Sequence, residues 1–140
     1  MGIIQWSDRF ATGDKSVDEQ HKELFRLVNK LHDAMKQGKG KEHTVPTIKA
    51  LAAYVVKHFA AEEALMERSK YPGLAQHRKI HEDLTGKVGV LLADAQAGKN
   101  IFTTELSHFL ADWLRNHIEG TDQKMVAWVT SNSTARAAPV

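Results

Sequence analysis

Histidine and carboxylate residues recur in this sequence at spacings that suit metal coordination. There is a lone His21, then His58 and Glu62 four apart, His77 and His81 four apart, and His117 with Asp122 five apart. Residues four apart project from adjacent turns of one helix face, so each such pair can offer two donor atoms to one ligand. A carboxylate such as Glu62 on an otherwise apolar stripe is costly to bury without a counter-charge. Its neighbour Glu63, rotated by about 100°, is expected to be an ordinary exposed residue. The chemistry indicated is ligation of cations by nitrogen and oxygen. With no Cys in the chain, disulfides, thiolate zinc sites, cysteine-held iron–sulfur clusters and cysteine nucleophiles are excluded.

Helices must carry these residues. Over residues 18 to 37, Val17, His21, Leu24, Phe25, Val28, Leu31 and Met35 recur at steps of three and four, and Gly38 and Gly40 stop the run. A second helix is expected from Thr44 and Pro46, a cap and a first-turn proline, with the stripe Ile48, Leu51, Val55, His58, Phe59, Glu62 and Met66. Tyr71-Pro72-Gly73 signals a turn. A third helix carries Leu74, His77, His81, Leu84, Val88 and Leu91 to Gly98, and a fourth carries Phe102, Leu106, Phe109, Leu110, Trp113 and His117 to Gly120. No strand-like alternation of comparable length is present. Short connections predict an all-α, up-down-up-down antiparallel four-helix bundle. Residues 1 to 16 read as an irregular N-terminal arm. After Gly120, Met125, Val126 and Trp128 mark a short C-terminal helical segment. Residues 1–130 are expected to form one domain and 131–140 a flexible tail.

In such a bundle the candidate ligands meet. His21 lies near the start of the first helix, His58 and Glu62 toward the end of the second, His77 and His81 near the start of the third, and His117 near the end of the fourth. Antiparallel packing puts those four places at one end. Five imidazoles and a carboxylate are too many for one tetrahedral zinc and suit two ions bridged by carboxylate. Asp122 is the candidate second bridge. On an unbroken α-helix it would lie about 140° from His117, so Gly120 is expected to end the helix and turn the chain inward.

Other residues are weaker candidates. His108, nine residues before His117, points away and is expected at the surface. His32 shares the face of His21 but sits about 16 Å along the axis, which suits a structural role. His43 falls in the first loop, and Trp6 and Trp128 are expected to seal the bundle end. The formal charge of +2, from 19 basic and 17 acidic residues, leaves no basic footprint for nucleic acid. No apolar run approaches a membrane span and the amino terminus lacks signal-peptide order. The expected protein is a cytoplasmic monomer with no nucleic-acid partner and no membrane insertion.

The ordered pattern, a lone His followed by H-x-x-x-E, H-x-x-x-H and H-x-x-x-x-D, resembles that of the single-domain bacteriohemerythrins of the hemerythrin family. The resemblance covers residues 6 to about 129. It implies a non-haem di-iron centre that binds O2 reversibly, for transport or storage. It further implies that His77, His81 and His117 hold one iron, His21 and His58 the other, and that Glu62, Asp122 and an oxo or hydroxo group bridge them. O2 then binds end-on as a hydroperoxide at the open position on the two-histidine iron. Other small ligands, such as nitric oxide or azide, suit the same position. Spacing alone does not choose iron over other divalent ions.

Phe59, Trp113 and Leu114 adjoin the ligands and are expected to wall an apolar pocket that hinders proton access and superoxide loss. No acid or base for turnover is evident, so an enzyme is not expected. The alternatives are an oxygen, redox or nitric-oxide sensing module, a di-iron oxidase or peroxidase, and an iron buffer. The first would act through a separate partner, since the tail leaves no room for an output domain. The second is disfavoured because oxygen-activating sites use more carboxylates. The third is disfavoured by a site saturated at two ions.

Overall fold

The computed structural model describes residues 3–37, 41–98 and 104–137, without the side chains of 41–43, 104–105 and 132–137. A 3-10 turn at Asp8–Phe10 leads into α1 (Lys15–Lys36), α2 (Lys41–Ser69), α3 (Leu74–Gln96) and α4 (Thr104–Asn116). A π-helical segment, His117–Asp122, joins α4 without a break to α5 (Gln123–Ala137). No strand occurs among the described residues. α1 packs on α2 and α2 on α3, as the short connections predict, and α4 packs back on α1. The result is an all-α four-helix bundle.

Local chemistry sets the helix limits that matter for the centre. The Asp14 carboxylate accepts the Val17 N–H at 3.0 Å, and Asp18 accepts from the N–H and hydroxyl of Thr12, so α1 starts early enough to carry His21 into its second turn. At the end of α2, Lys70 takes a left-handed conformation (φ 56°) and the Tyr71 N–H reaches back to the Met66 carbonyl at 3.0 Å. Gly73 completes that turn because a Cβ there would lie 2.8 Å from the Tyr71 ring. The tight reversal sets the end of α2, with His58 and Glu62, beside the start of α3, with His77 and His81.

Several boundaries differ from expectation. α2 begins at Lys41, so Thr44 is buried within the helix rather than capping it, and the backbone of His43 is helical rather than looped. Pro46 is exposed, so the carbonyl its ring leaves without an amide partner can be met by water. Gly38, Gly40 and Phe102 lie outside the described residues. The loose tail expected from 131 is helical backbone to Ala137, in a stretch with no Gly or Pro before Pro139.

The largest correction concerns Gly120. It neither ends a helix nor takes a left-handed φ, and its neighbourhood is open. In a π-helix the backbone bonds from i to i+5, so residues five apart stack as residues four apart do in an α-helix. That winding, not a chain reversal, carries Asp122 round to the face of His117.

Apolar layers lie on both sides of the polar one. Leu24, Val28, Val55, Phe59, Leu84, Leu110, Leu114 and Ile118 belong to the main core, while Val17, Met66, Met125, Val126 and Val129 form a second cluster beyond the histidines. Trp6 packs on Phe10 and Phe25, and Trp128 on Tyr71. Since Gly120 has no conformational duty, Gly120→Ala should fold normally and hold metal as the parent does. It should be unchanged or up to about 1 kcal/mol more stable, from the entropy a helical glycine forfeits. Thermal unfolding with a count of bound metal checks this.

Candidate metal centre

The structure gathers all seven predicted residues. His21, His58, Glu62, His77, His81, His117 and Asp122 are buried, and their donor atoms fall into two groups within which every pair is at most 4.8 Å apart. One group is His77, His81 and His117; the other is His21 and His58; Glu62 and Asp122 belong to both. Each histidine presents its Nε2. The two oxygens of each carboxylate face opposite sets. Glu62 Oε2 lies 3.2 Å from both His21 and His58, while its Oε1 lies 3.1 Å from His81 and 3.6 Å from His77. Asp122 Oδ2 is 2.9 Å from His21, and Oδ1 is 3.0 Å from both His77 and His117.

Proximity here is not the same as hydrogen bonding. His58 Nε2, His77 Nε2, Glu62 Oε1 and both Asp122 oxygens are fully buried yet have no hydrogen-bond partner. Buried polar atoms are normally satisfied, so a convergent set of orphaned donor atoms is an arrangement that could hold cations. The donor chemistry, imidazole and carboxylate without thiolate, suits iron among other first-row metals.

Electrostatics point the same way. Burial alone would lower the His21 and His77 pKa values, but contacts with Asp122 and Glu62 overcome it and push each up to about 9. Burial would raise Glu62, yet the surrounding histidines hold it well below the usual carboxylate range. Asp122, raised by burial and by the Glu62 charge, is brought below its ordinary value by His117 and His21. Without ions, protons on the imidazoles therefore serve as counter-charge for the carboxylates.

The three expected pocket residues surround this layer unevenly. The Phe59 ring lies flat on His81 at 3.7 Å between centroids and meets His58 at 5.8 Å. Trp113 stacks on His117 at 4.4 Å. Leu114 is buried and lines, with Trp113 and Leu110, a small cavity in the core beneath. The aromatic walls thus stand mainly against the three-histidine set. His108 is exposed, as expected, and His32, with its Nδ1 2.7 Å from the Ser107 hydroxyl, lies apart from the centre.

Two partners of the histidines were not legible as such. Glu63, expected to be exposed, accepts from His81 Nδ1 at 3.0 Å, and Gln20 accepts from His58 Nδ1 at 2.6 Å. Each adjoins a ligand position in sequence, and a turn of about 100° aims it at the neighbouring helix rather than at water. The N-terminal arm braces the π-helical segment: Arg9 pairs with Glu119 at 2.8 Å, and Gln123 Nε2 donates to the Arg9 and Ala11 carbonyls.

A pH dependence follows for the metal-free protein. A histidine whose pKa is higher folded than unfolded contributes stability that is complete below about 6.5 and lost as pH rises through about 9. The melting temperature of metal-free protein should fall across that window. Metal-loaded protein should not show the fall, because bound ions replace the protons. Calorimetry of both forms from pH 6 to 9.5 checks it.

Comparison with known proteins gives this geometry its context. Residues 12–129 match the Hemerythrin family, described as the hemerythrin HHE cation binding domain. A bacteriohemerythrin of Pseudomonas aeruginosa is 39% identical over 124 residues, covering 87% of this chain and 78% of that protein. One of Methylococcus capsulatus is 36% identical over 124 residues, covering 88% and 94%. The crystal structure of wild-type hemerythrin matches with a TM-score of 0.87 at 32% identity, over 91% of this chain and 98% of that one. Sequence and fold agree over nearly the full length of the bundle, and the chain belongs to the hemerythrin family.

Proposed function

We propose that this protein binds O2 reversibly, as a carrier or store and not as an enzyme, at a di-iron centre held by the seven gathered residues. Family membership supports iron and O2. The observation that carries the assignment of residues is the division of each carboxylate, one oxygen toward His21 and His58 and the other toward His77, His81 and His117. A carboxylate so placed could serve both positions, so Glu62 and Asp122 would be shared by the two ions. When bound, a ferrous pair supplies the two electrons that a reversible reaction with O2 requires.

The chain's own residues do the rest. Five imidazoles, neutral when they act as ligands, hold the ions in place without adding charge. Glu62 and Asp122 supply the compensating negative charge and keep the two positions together. The set of His21 and His58 has one histidine fewer, which leaves a place there for an exogenous ligand such as O2, nitric oxide or azide. Phe59, Trp113 and Leu114 pack around the layer and would exclude water and protons from it. The aromatic packing also limits rearrangement of His81 and His117, so binding and release act on a rigid frame.

The test is to load the protein with ferrous iron without air and cycle oxygen and vacuum while following visible absorption. Full recovery over repeated cycles is expected. One-way conversion to a ferric form, or sustained consumption of an added reductant with peroxide, would overturn a carrier role. By metal analysis, Glu62→Ala should lose the ion pair and His108→Ala should retain both ions.

A further inference from the structure

The two histidine sets differ in what holds the nitrogens that face away from the metal positions. His58 Nδ1 donates to the neutral amide oxygen of Gln20. His81 Nδ1 donates to the Glu63 carboxylate, whose other oxygen accepts from Arg78 Nε at 3.0 Å. Arg78 also reaches Glu67 at 3.3 Å. A carboxylate only accepts when ionised, so Glu63 fixes the proton of His81 on Nδ1 and frees Nε2 to act as a donor to metal. Stacking on Phe59 holds the ring in that plane. The Glu63 side chain is 23% exposed and lines a groove of about 320 Å³ between α2 and α3, together with Phe59, His81 and Glu82. One end of this chain of contacts is therefore at the metal layer and the other at the surface.

We propose that Glu63 is a positioning residue of the metal centre that makes its two ions electronically unequal. A charged acceptor on Nδ1 raises the electron density of the opposite nitrogen more than a neutral one does. The three-histidine position, through His81, thus receives more donation than His58 gives to its own position, where Gln20 supplies no charge. This favours the higher oxidation state on the three-histidine side. The inference rests on the di-iron reading above.

The experiment compares Glu63→Gln, Glu63→Ala, Gln20→Glu and Arg78→Ala with the parent. Metal affinity is measured by chelator competition with cobalt(II), and the midpoint potential of the iron-loaded protein by spectroelectrochemistry. Glu63→Ala should weaken metal binding by about tenfold to a hundredfold. Glu63→Gln keeps an acceptor for His81, so it should restore most of that affinity while raising the midpoint potential. Gln20→Glu should lower the potential. Arg78→Ala, which removes the ion pair but leaves the His81 contact, should keep affinity within about threefold, separating loss of the Arg78 bridge from loss of the imidazole contact. Parent affinity in Glu63→Ala, or parent potential in Glu63→Gln, overturns the proposal. Failure of the parent chain itself to take up two ions would instead refute the di-iron reading. Should Glu63→Ala not fold, Glu63→Gln decides the matter alone.

Discussion

Glu62 and Asp122 are two ionised groups held side by side in a layer that water does not reach. Like charges a few ångströms apart repel by about 4 kcal/mol even at an effective dielectric of 20, and each has also forfeited its hydration. Such an arrangement persists only if positive charge is supplied locally and symmetrically. Protons on imidazole can do this in part, metal ions fully. The demand for donors on every side dictates the architecture: a ligand must come from each helix, at one height, pointing to one axis. An antiparallel bundle with short reversals meets that demand, since the starts of α1 and α3 and the end of α2 then share a level with the π-helical end of α4.

The apolar layers above and below are the second half of the arrangement. Along α1 the buried series includes Val17, His21 and Leu24; along α2, Val55, His58, Glu62 and Met66; from α4 into α5, Leu114, His117, Asp122 and Met125. The buried histidines and carboxylates are gathered in one slice of the bundle, which strengthens every electrostatic contact in that slice and makes an unfilled one costly. The same confinement allows contacts outside the slice to matter. Glu63 and Gln20 touch no ion in the proposed centre, yet each sets the orientation of a ligand.

How much of this was legible in the sequence depends on whether an α-helical count applied. His58 with Glu62 and His77 with His81 are spaced for an α-helix, and the structure brings them together. The place of His117 follows from the same periodicity. Asp122 could be named as a candidate, but its route inward could not be read, because the π winding depends on tertiary demand and leaves no signature in residue type. Glu63 was misread because exposure was judged from its own helix, whereas its partners His81 and Arg78 belong to α3. The extension of α2 through Pro46 and of α5 beyond residue 130 shows the same limit. Local signals suggest where a helix could stop, and packing or composition decides where it does.

The π-helical segment contains one residue more than an α-helix would use to cover the same turn. Because an α-helix advances by about 100° per residue, that extra residue also resets the rotational phase of everything downstream. With it, Met125, Val126 and Val129 continue the line of Leu110, Leu114 and Ile118 and close the bundle end beside Val17 and Met66. Removing one residue between His117 and Asp122 would restore an ordinary i,i+4 pair, like those of α2 and α3, and leave α5 in register, whereas winding the segment as α-helix at its present length would swing both Asp122 and the inner face of α5 away by about 100°. At this chain length the π winding is therefore demanded twice over, by the meeting of His117 with Asp122 and by the packing of the helix that follows.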